Sequence, residues 1–354
     1  MSLPEVPGVL DMAQVHCTAA GIAEWQLPNG MIPWFPGGHA DPWNHVEAAM
    51  ALAATGHLDE AEAAYRWLAD TQLPNGAWHQ YYTAEGIEDH KHDANVIAYV
   101  ATGAWHHWLM TRDRGFLEAM WPVVEPAIDF VLDLQTTRGE ILWARHADGT
   151  PWSFALLAGS ASISHSLRCA IAVAEELGHE RPDWELSLAY LAHTVRTRPD
   201  GSFAPKDRWA MDWYYPVLSG TVDRADAIPH LGGRYDEFVM DGLGVRCVSN
   251  RPWVTVAETC ECAIAHLFAG ARPVAEQMFS WIQAMRCDDG RYVTGLVHPE
   301  GVTFPNGERT TYSAAAVVLT ADALSGASPA SGLFTEHTGL PDIISTGAPV
   351  HESD

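Results

Sequence analysis

Gln72-Leu-Pro-Asn-Gly-Ala-Trp78 leads through a polar, aromatic loop to Asp89-His-Lys-His-Asp93, and from there into the apolar run Ala94–Trp108. Upstream, Leu58–Gln72 carries Ala63, Trp67 and Leu68 at helical spacing, the pattern of a helix with one buried face. Pro74, Asn75 and Gly76 stop that helix, because proline lacks a donor and glycine accepts the left-handed cap. The Ala-rich segment that follows is apolar all round, as a fully enclosed helix is. The unit is therefore a surface helix, a long loop with Trp78, Tyr81, Tyr82, His90, His92 and Asp93, and a core helix.

Working outward, the same order recurs. Leu10–Gln26 breaks at Leu27-Pro-Asn-Gly30 and passes Trp34, His39, Asp41 and Trp43 into Asn44–Thr55. Phe116–Gln135 breaks at Thr136-Thr-Arg-Gly139 and crosses Trp143, Arg145 and Trp152 into Ser160–Leu177. Trp184–Val195 breaks at Arg198-Pro-Asp-Gly201 before a loop with Trp209, Asp212 and Trp213, and its inner helix is short or irregular. A less regular fifth unit from Arg224 passes Asp241-Gly-Leu-Gly244, Arg251 and Trp253 into Val254–Ala269. The sixth, Val274–Arg286, breaks at Asp288-Asp-Gly290 and continues through Tyr292, Glu300 and Glu308 into Tyr312–Leu324. Helix pairs of this kind bury their faces only against neighbours, and neither chain end supplies a polar capping repeat. Six pairs suit closure into a ring: an all-α (α/α)6 barrel over residues 1–325, with inner helices at the centre, long loops on one rim, and an irregular tail over 326–354.

Composition narrows the function. The 354 residues have a formal charge of −25 with only 20 Lys and Arg, which speaks against nucleic acid and anionic membranes as partners. No run approaches the ~18 apolar residues of a membrane helix, and no secretory signal opens the chain. A cytoplasmic setting with reduced thiols is expected for the six cysteines. Cys260 and Cys262 stand two apart on a helix, which is not a metal-clamp spacing. His90 and His92 are likewise two apart in a loop, without a Glu-X-X-His pairing, so neither metal nor cofactor is assigned.

With the loops on one rim, the cup gathers Trp34, Trp43, Trp78, Trp143, Trp152, Trp213, Trp253 and Tyr312 among His39, Asp41, His92, Asp93, Arg145, Asp212, Arg251, Glu258 and Glu308. Aromatic planes stack on the C–H faces of sugars, while carboxylates and guanidiniums bind hydroxyls; a prenyl chain with an anionic head is the other ligand such a cup fits. Trp and Tyr also cap helix ends and plug barrels, so each has a purely structural alternative. Asp93 precedes an inner helix, where it either caps the helix or binds substrate. Glu258 lies among Ala257, Cys262, Ala263 and Ala265, surroundings that raise a carboxyl's pKa and suit a general acid.

Asp93-Ala-Asn-Val-Ile-Ala-Tyr-Val-Ala101, Phe116–Asp129 and Thr311-Tyr-Ser-Ala-Ala315 resemble the glucoamylase-type (α/α)6 glycoside hydrolases. That resemblance implies that Asp93 holds the reacting sugar and that the loop before the last inner helix carries the catalytic base, Glu300 or Glu308. The family's general acid belongs near Trp152-Ser-Phe-Ala-Leu-Leu-Ala-Gly159, where no carboxylate stands, so Glu258 or Asp212 takes its place or the chain does not hydrolyse glycosides this way. The Gln-Leu-Pro-Asn-Gly repeats and Glu258-Thr-Cys-Glu-Cys262 resemble the prenyltransferase and squalene-cyclase toroids, although no Asp-X-Asp-Asp motif is present. The expected function is an inverting glycosidase acting on a small-molecule or oligosaccharide substrate, with Glu258 as acid, Glu308 as base and Asp93 on the sugar. Prenyl or terpenoid chemistry, and a sugar-binding toroid without catalysis, are the alternatives.

Overall fold

The computed structural model describes residues 3–197 and 199–343. Six helix pairs follow one another. The outer members are α1 (Met12–Trp25), α3 (Leu58–Thr71), α5 (Arg114–Leu132), α7 (Pro182–Thr197), α9 (Arg224–Gly232) and α11 (Arg272–Trp281). The inner members are α2 (Pro42–Ala54), α4 (Ala94–Thr111), α6 (Leu157–Leu177), α8 (Ala210–Leu218), α10 (Val256–Phe268) and α12 (Thr311–Ser325). Each inner helix packs on the next, and α12 packs back on α2, which shuts the ring. Buried Ala48, Ala49, Ala51, Ala53 and Ala54 on α2, and Ala314–Ala316 on α12, keep those helices close. The first and last units are also tied by polar contacts: Thr311 N–H donates to the Trp34 carbonyl (2.8 Å) and Thr18 Oγ1 to that of Gly290 (2.8 Å).

The recurring Gln…Gly breaker is an architectural staple. The Gln26 amide donates to the carbonyls of Gly30 (3.0 Å) and of Glu60 on α3 (2.9 Å). Gln72 repeats this to Gly76 (3.0 Å) and Val123 of α5 (2.8 Å), and Gln135 to Gly139 (3.0 Å) and Ser187 of α7 (2.9 Å). Each break thereby fastens one outer helix to the next. Gly30 and Gly76 are needed there: φ is +93° and +85°, and a Cβ would collide with the carbonyls of Ala63 and Pro126.

The all-α expectation needs correction. The rim loops pair as strands β1 (Tyr81–Thr83) with β2 (Gly86–Asp89), and β3 (His92–Asp93) with β4 (Ala144–Arg145). The loops of units five and six form a five-stranded antiparallel meander: β5 (Val239–Met240), β6 (Gly244–Arg246), β7 (Trp253–Thr255), β8 (Val293–Val297) and β9 (Val302–Arg309). β-Branched residues on β7 and β8, with the turn His298–Gly301 between β8 and β9, carry the signal. Individually the strands are too short to register as sustained alternation. Glu308 accordingly lies on a strand rather than in an irregular loop before the last inner helix.

The described part of the tail packs on the barrel. Ser328 bonds the buried Asp322 carboxylate, Ala330 and Leu333 are buried, and Phe334 stacks on His165 at 4.5 Å. Residues 344–354 of the expected irregular tail lie outside the described residues. Among the described residues no helix is long and apolar enough to cross a membrane.

Candidate active site

The long loops meet where the inner helices begin. There a cleft of about 300 Å³ is walled by Trp34, Trp43, Tyr81 and Trp143, by apolar Val96, Leu156, Ala158 and Met211, and by Asp41, Asn44, Gln80, Asp93 and Asn95. Asp41 caps α2 through Asn44 N–H (3.0 Å) and also accepts from Asn44 Nδ2 (2.7 Å) and Trp34 Nε1 (2.8 Å). Burial pushes its carboxyl up, against these three donors and the nearby His39. Asp93 caps α4 by accepting from the N–H groups of Asn95 (3.1 Å) and Val96 (3.4 Å). Burial raises it to about 6, with Lys91 and the Trp143 indole pulling the other way. The cap and the cleft wall are therefore the same carboxylate.

Neither Glu258 nor Glu308 lines this cleft. Glu258, in the first turn of α10, accepts from the Thr255 hydroxyl, and its desolvated carboxyl is shifted upward. Burial also raises Glu308, opposed by His39 and Thr294. The charges of both glutamates reach the Tyr312 phenol, whose ring meets Trp34 edge-on at 5.0 Å. Tyr312 thus touches the aromatic wall and lies within electrostatic reach of both acids. Glu300, the other base candidate, is exposed in the β8–β9 turn.

The remaining expected residues divide by position. His39 stacks on Tyr81 (4.1 Å) and bonds Glu88 (2.7 Å) at the cleft mouth. Trp152 meets Trp143 edge-on at 4.6 Å, backing that wall. Asp212 accepts from Ala158 N–H (3.1 Å) behind the lining; burial raises it to about 6 and it faces a neighbouring hollow with Lys206 and Arg234. Arg251 is exposed and lies over the Trp253 ring at 5.6 Å, in the meander. Arg145 is turned outward to Asp133, and His92, paired with it across β3–β4, packs on Phe130. Neither Arg145 nor His92 lines the cleft.

Trp78 and Trp213 belong to the core. Their indoles are 1% and 2% exposed and donate to the carbonyls of Leu68 (2.9 Å) and Leu231 (3.1 Å). Trp78 is carried beneath the rim by its loop, whereas Trp213 lies on helix α8 rather than in the loop expected for it, so neither side chain can meet a ligand in the cleft. His79 gathers His90 and His92 at ring distances of 4.7 and 5.2 Å, yet among the described residues no His, Cys, Asp and Glu group has the arrangement to hold a metal. All six cysteines are free.

A second layer of acids lies under the cleft, and sequence reasoning did not single it out. Trp43 donates to Glu47 Oε1 (3.0 Å), which also receives the Tyr99 hydroxyl (3.3 Å), while Glu261 is bonded by Tyr214. Glu47 and Glu261 share a small void with Tyr99 and Tyr215. Burial lifts Glu47 to about 8 and Glu261 well above the carboxylate range, each raised further by an acidic neighbour. The available signal is a charge in an Ala-rich inner helix (Val46-Glu-Ala-Ala49), the same one that marks Glu258.

Comparison with known proteins agrees with this architecture. The chain is 49% identical over 333 residues to the MMP endo-(1,4)-3-O-methyl-alpha-D-mannosidase of Mycolicibacterium hassiacum, covering 94% of this chain and 92% of that protein. Among solved structures, a wild-type glycosidase superposes with TM-score 0.71 at 15% identity, over 89% of this chain and 98% of that one. The GH63 mannosylglycerate hydrolase of Thermus thermophilus, in complex with glucose, gives 0.65 at 10% identity, over 87% and 99%. A D-mannose isomerase gives 0.66 at 11%, over 87% and 96%. These distant structures share the toroid. No protein-family model matches the chain. The prenyltransferase resemblance finds no support among these relatives, and the Gln-Leu-Pro-Asn-Gly motif that carried it is accounted for by the staples between outer helices.

Proposed function

Because the chain belongs to the family of the MMP endo-(1,4)-3-O-methyl-alpha-D-mannosidase and is a glycoside hydrolase, we propose that it cleaves internal (1,4) bonds between 3-O-methyl-α-D-mannosyl units, with inversion. The observation that carries this reading is the cleft itself, in which four aromatic rings and an apolar wall converge with two buried helix-capping carboxylates. An O-methyl group is apolar, and Val96, Leu156, Ala158 and Met211 offer it a dry surface, while Asp41 and Asp93 accept from the free hydroxyls. Inverting hydrolysis needs one protonated and one ionised carboxyl on opposite sides of the glycosidic bond, ~6.5–9.5 Å apart. Glu258, desolvated and with one hydroxyl donor, suits the acid. Glu308, whose carboxyl burial raises against the opposing pull of His39 and Thr294, is the base candidate.

A second assignment of the base rests on Asp41. It lies within the cleft and accepts from three donors, a pattern that favours the ionised form, whereas Glu308 stands on a strand at the edge. Azide rescue separates the two. The variant lacking the true base regains activity with azide and yields a glycosyl azide of inverted configuration; the other does not. Wild-type protein inert on 3-O-methylmannoside oligomers, yet active on another α-glycan, would overturn the substrate assignment.

A further inference from the structure

The fourth inner helix is short. α8 has 9 residues against 21 in α6, so at ~1.5 Å per residue it leaves the barrel wall incomplete below its end. The C-terminal segment fills part of that gap. Trp105 Nε1 donates to the Thr338 carbonyl (3.2 Å), and the His337 ring packs so closely on Gly220 that a Cβ there would meet it. Between segment and barrel remains a cleft of about 580 Å³, at the opposite ends of the inner helices from the glycosidase rim.

Three of the chain's 20 basic residues converge on this cleft: Arg168 from α6, Arg196 from α7 and Arg224 from α9. Arg196 is paired with Asp223 (2.9 Å) and also bonds the Thr221 carbonyl. Arg224 lies over Phe268, bonds the Thr335 carbonyl and pairs with Glu336 at 3.2 Å. Arg168 differs from both. It is 4% exposed, and its Nε donates to the Pro341 carbonyl (2.9 Å), but among the described residues no carboxylate stands within ion-pair distance. Asp342 is near enough for its charge to be felt, and Arg196 opposes it with a like charge. A guanidinium carries five donors, and a buried charge without a counter-ion is strongly disfavoured. His337 and His165, each pushed well below the usual histidine range by burial and then by Arg168, stay neutral and add no like charge beside it.

We infer that this second cleft binds a small oxyanion, a carboxylate or phosphate group, in which Arg168 is the anchoring donor and Arg224 the donor at the mouth. Arginine forks match both anions bidentately, and Phe268 beneath Arg224 holds that guanidinium at the mouth. The site does not depend on the glycosidase assignment, since it shares no lining residue with the sugar cleft.

The test uses the full chain, inorganic phosphate and citrate as probes, and sodium chloride at matched ionic strength as the reference. Thermal-shift and calorimetric titrations are expected to show saturable binding of at least one probe. Arg224→Gln, whose side chain is 47% exposed, should weaken binding at least tenfold, the melting temperature of the ligand-free protein being read alongside because the change also removes the ties to Thr335 and Glu336. Arg168→Lys keeps the charge but loses the fork, and should weaken binding similarly. Phosphate-only saturation identifies a phosphoryl ligand, and citrate-only saturation a carboxylate. A linear response equal to that of chloride, or unchanged affinity in both variants, would overturn the inference and leave the arginines as ties for residues 328–343.

Discussion

Trp43 and Glu47 are joined by an indole-to-carboxyl hydrogen bond of 3.0 Å, one residue in the rim cleft and the other in the barrel interior. Through this bond, the orientation of an aromatic wall depends on a buried acid. Glu47→Leu would leave the Trp43 and Tyr99 donors unmatched, at a cost of about 1–3 kcal/mol each, and should raise KM; Glu47→Gln keeps the acceptor and should largely restore both stability and KM. Chemical denaturation and Michaelis kinetics read the two effects.

The same residue fixes a pH dependence. Its folded pKa, about 8, stands above the ordinary glutamate value of 4.5, so the folded state holds the proton more tightly. Its stabilising contribution is complete below pH 4.5 and lost as pH rises through about 8. Denaturant midpoints across that range should fall for the wild type, and fall less for Glu47→Gln. Equal slopes would show that the carboxyl is not held protonated.

Asp93 has two roles that one substitution separates. Asparagine caps a helix about as well as aspartate, so Asp93→Asn should change stability by under ~0.5 kcal/mol. Losing a charged acceptor for a sugar hydroxyl costs ~1.5–3 kcal/mol, or roughly tenfold to over a hundredfold in kcat/KM. A large loss of stability with intact kcat/KM would leave Asp93 as a cap alone.

Two tryptophans from equivalent loops should behave oppositely. Trp78→Ala empties a fully buried site and is expected to cost ~3–5 kcal/mol of stability. Trp143→Ala removes a cleft wall and should act mainly on KM. Melting temperatures and kinetics measured on both proteins check the contrast.

That contrast also marks how far the chain can be read. The ring is legible because its cause is periodic: breakers such as Pro74-Asn-Gly76 fall in register, and each turns an outer helix into the rim. Asp93 is legible because a cap position and a cleft-lining position coincide. Trp78 reads as a cup residue only because loop membership does not give depth, and Trp213 because the short helix α8 that carries it reads as loop. The five-stranded meander escapes a reading by periodicity because its strands gain their pairing from tertiary proximity rather than from sustained alternation. Glu47 has apolar helical surroundings like those of Glu258, yet only the folded barrel shows it sharing a void with Glu261.

Glu258→Gln should lower kcat by ~10²–10⁴ while leaving the fold intact, and less on substrates whose leaving group needs no proton. The most direct measurement is a proton NMR time course of the wild type on a (1,4)-linked 3-O-methyl-α-D-mannoside oligomer, with Glu258→Gln as the control. The account predicts that the β-anomer of the new reducing end appears first and equilibrates later, with product from the control slowed by about 10²–10⁴. The α-anomer appearing first, or undiminished hydrolysis by the control, would contradict it.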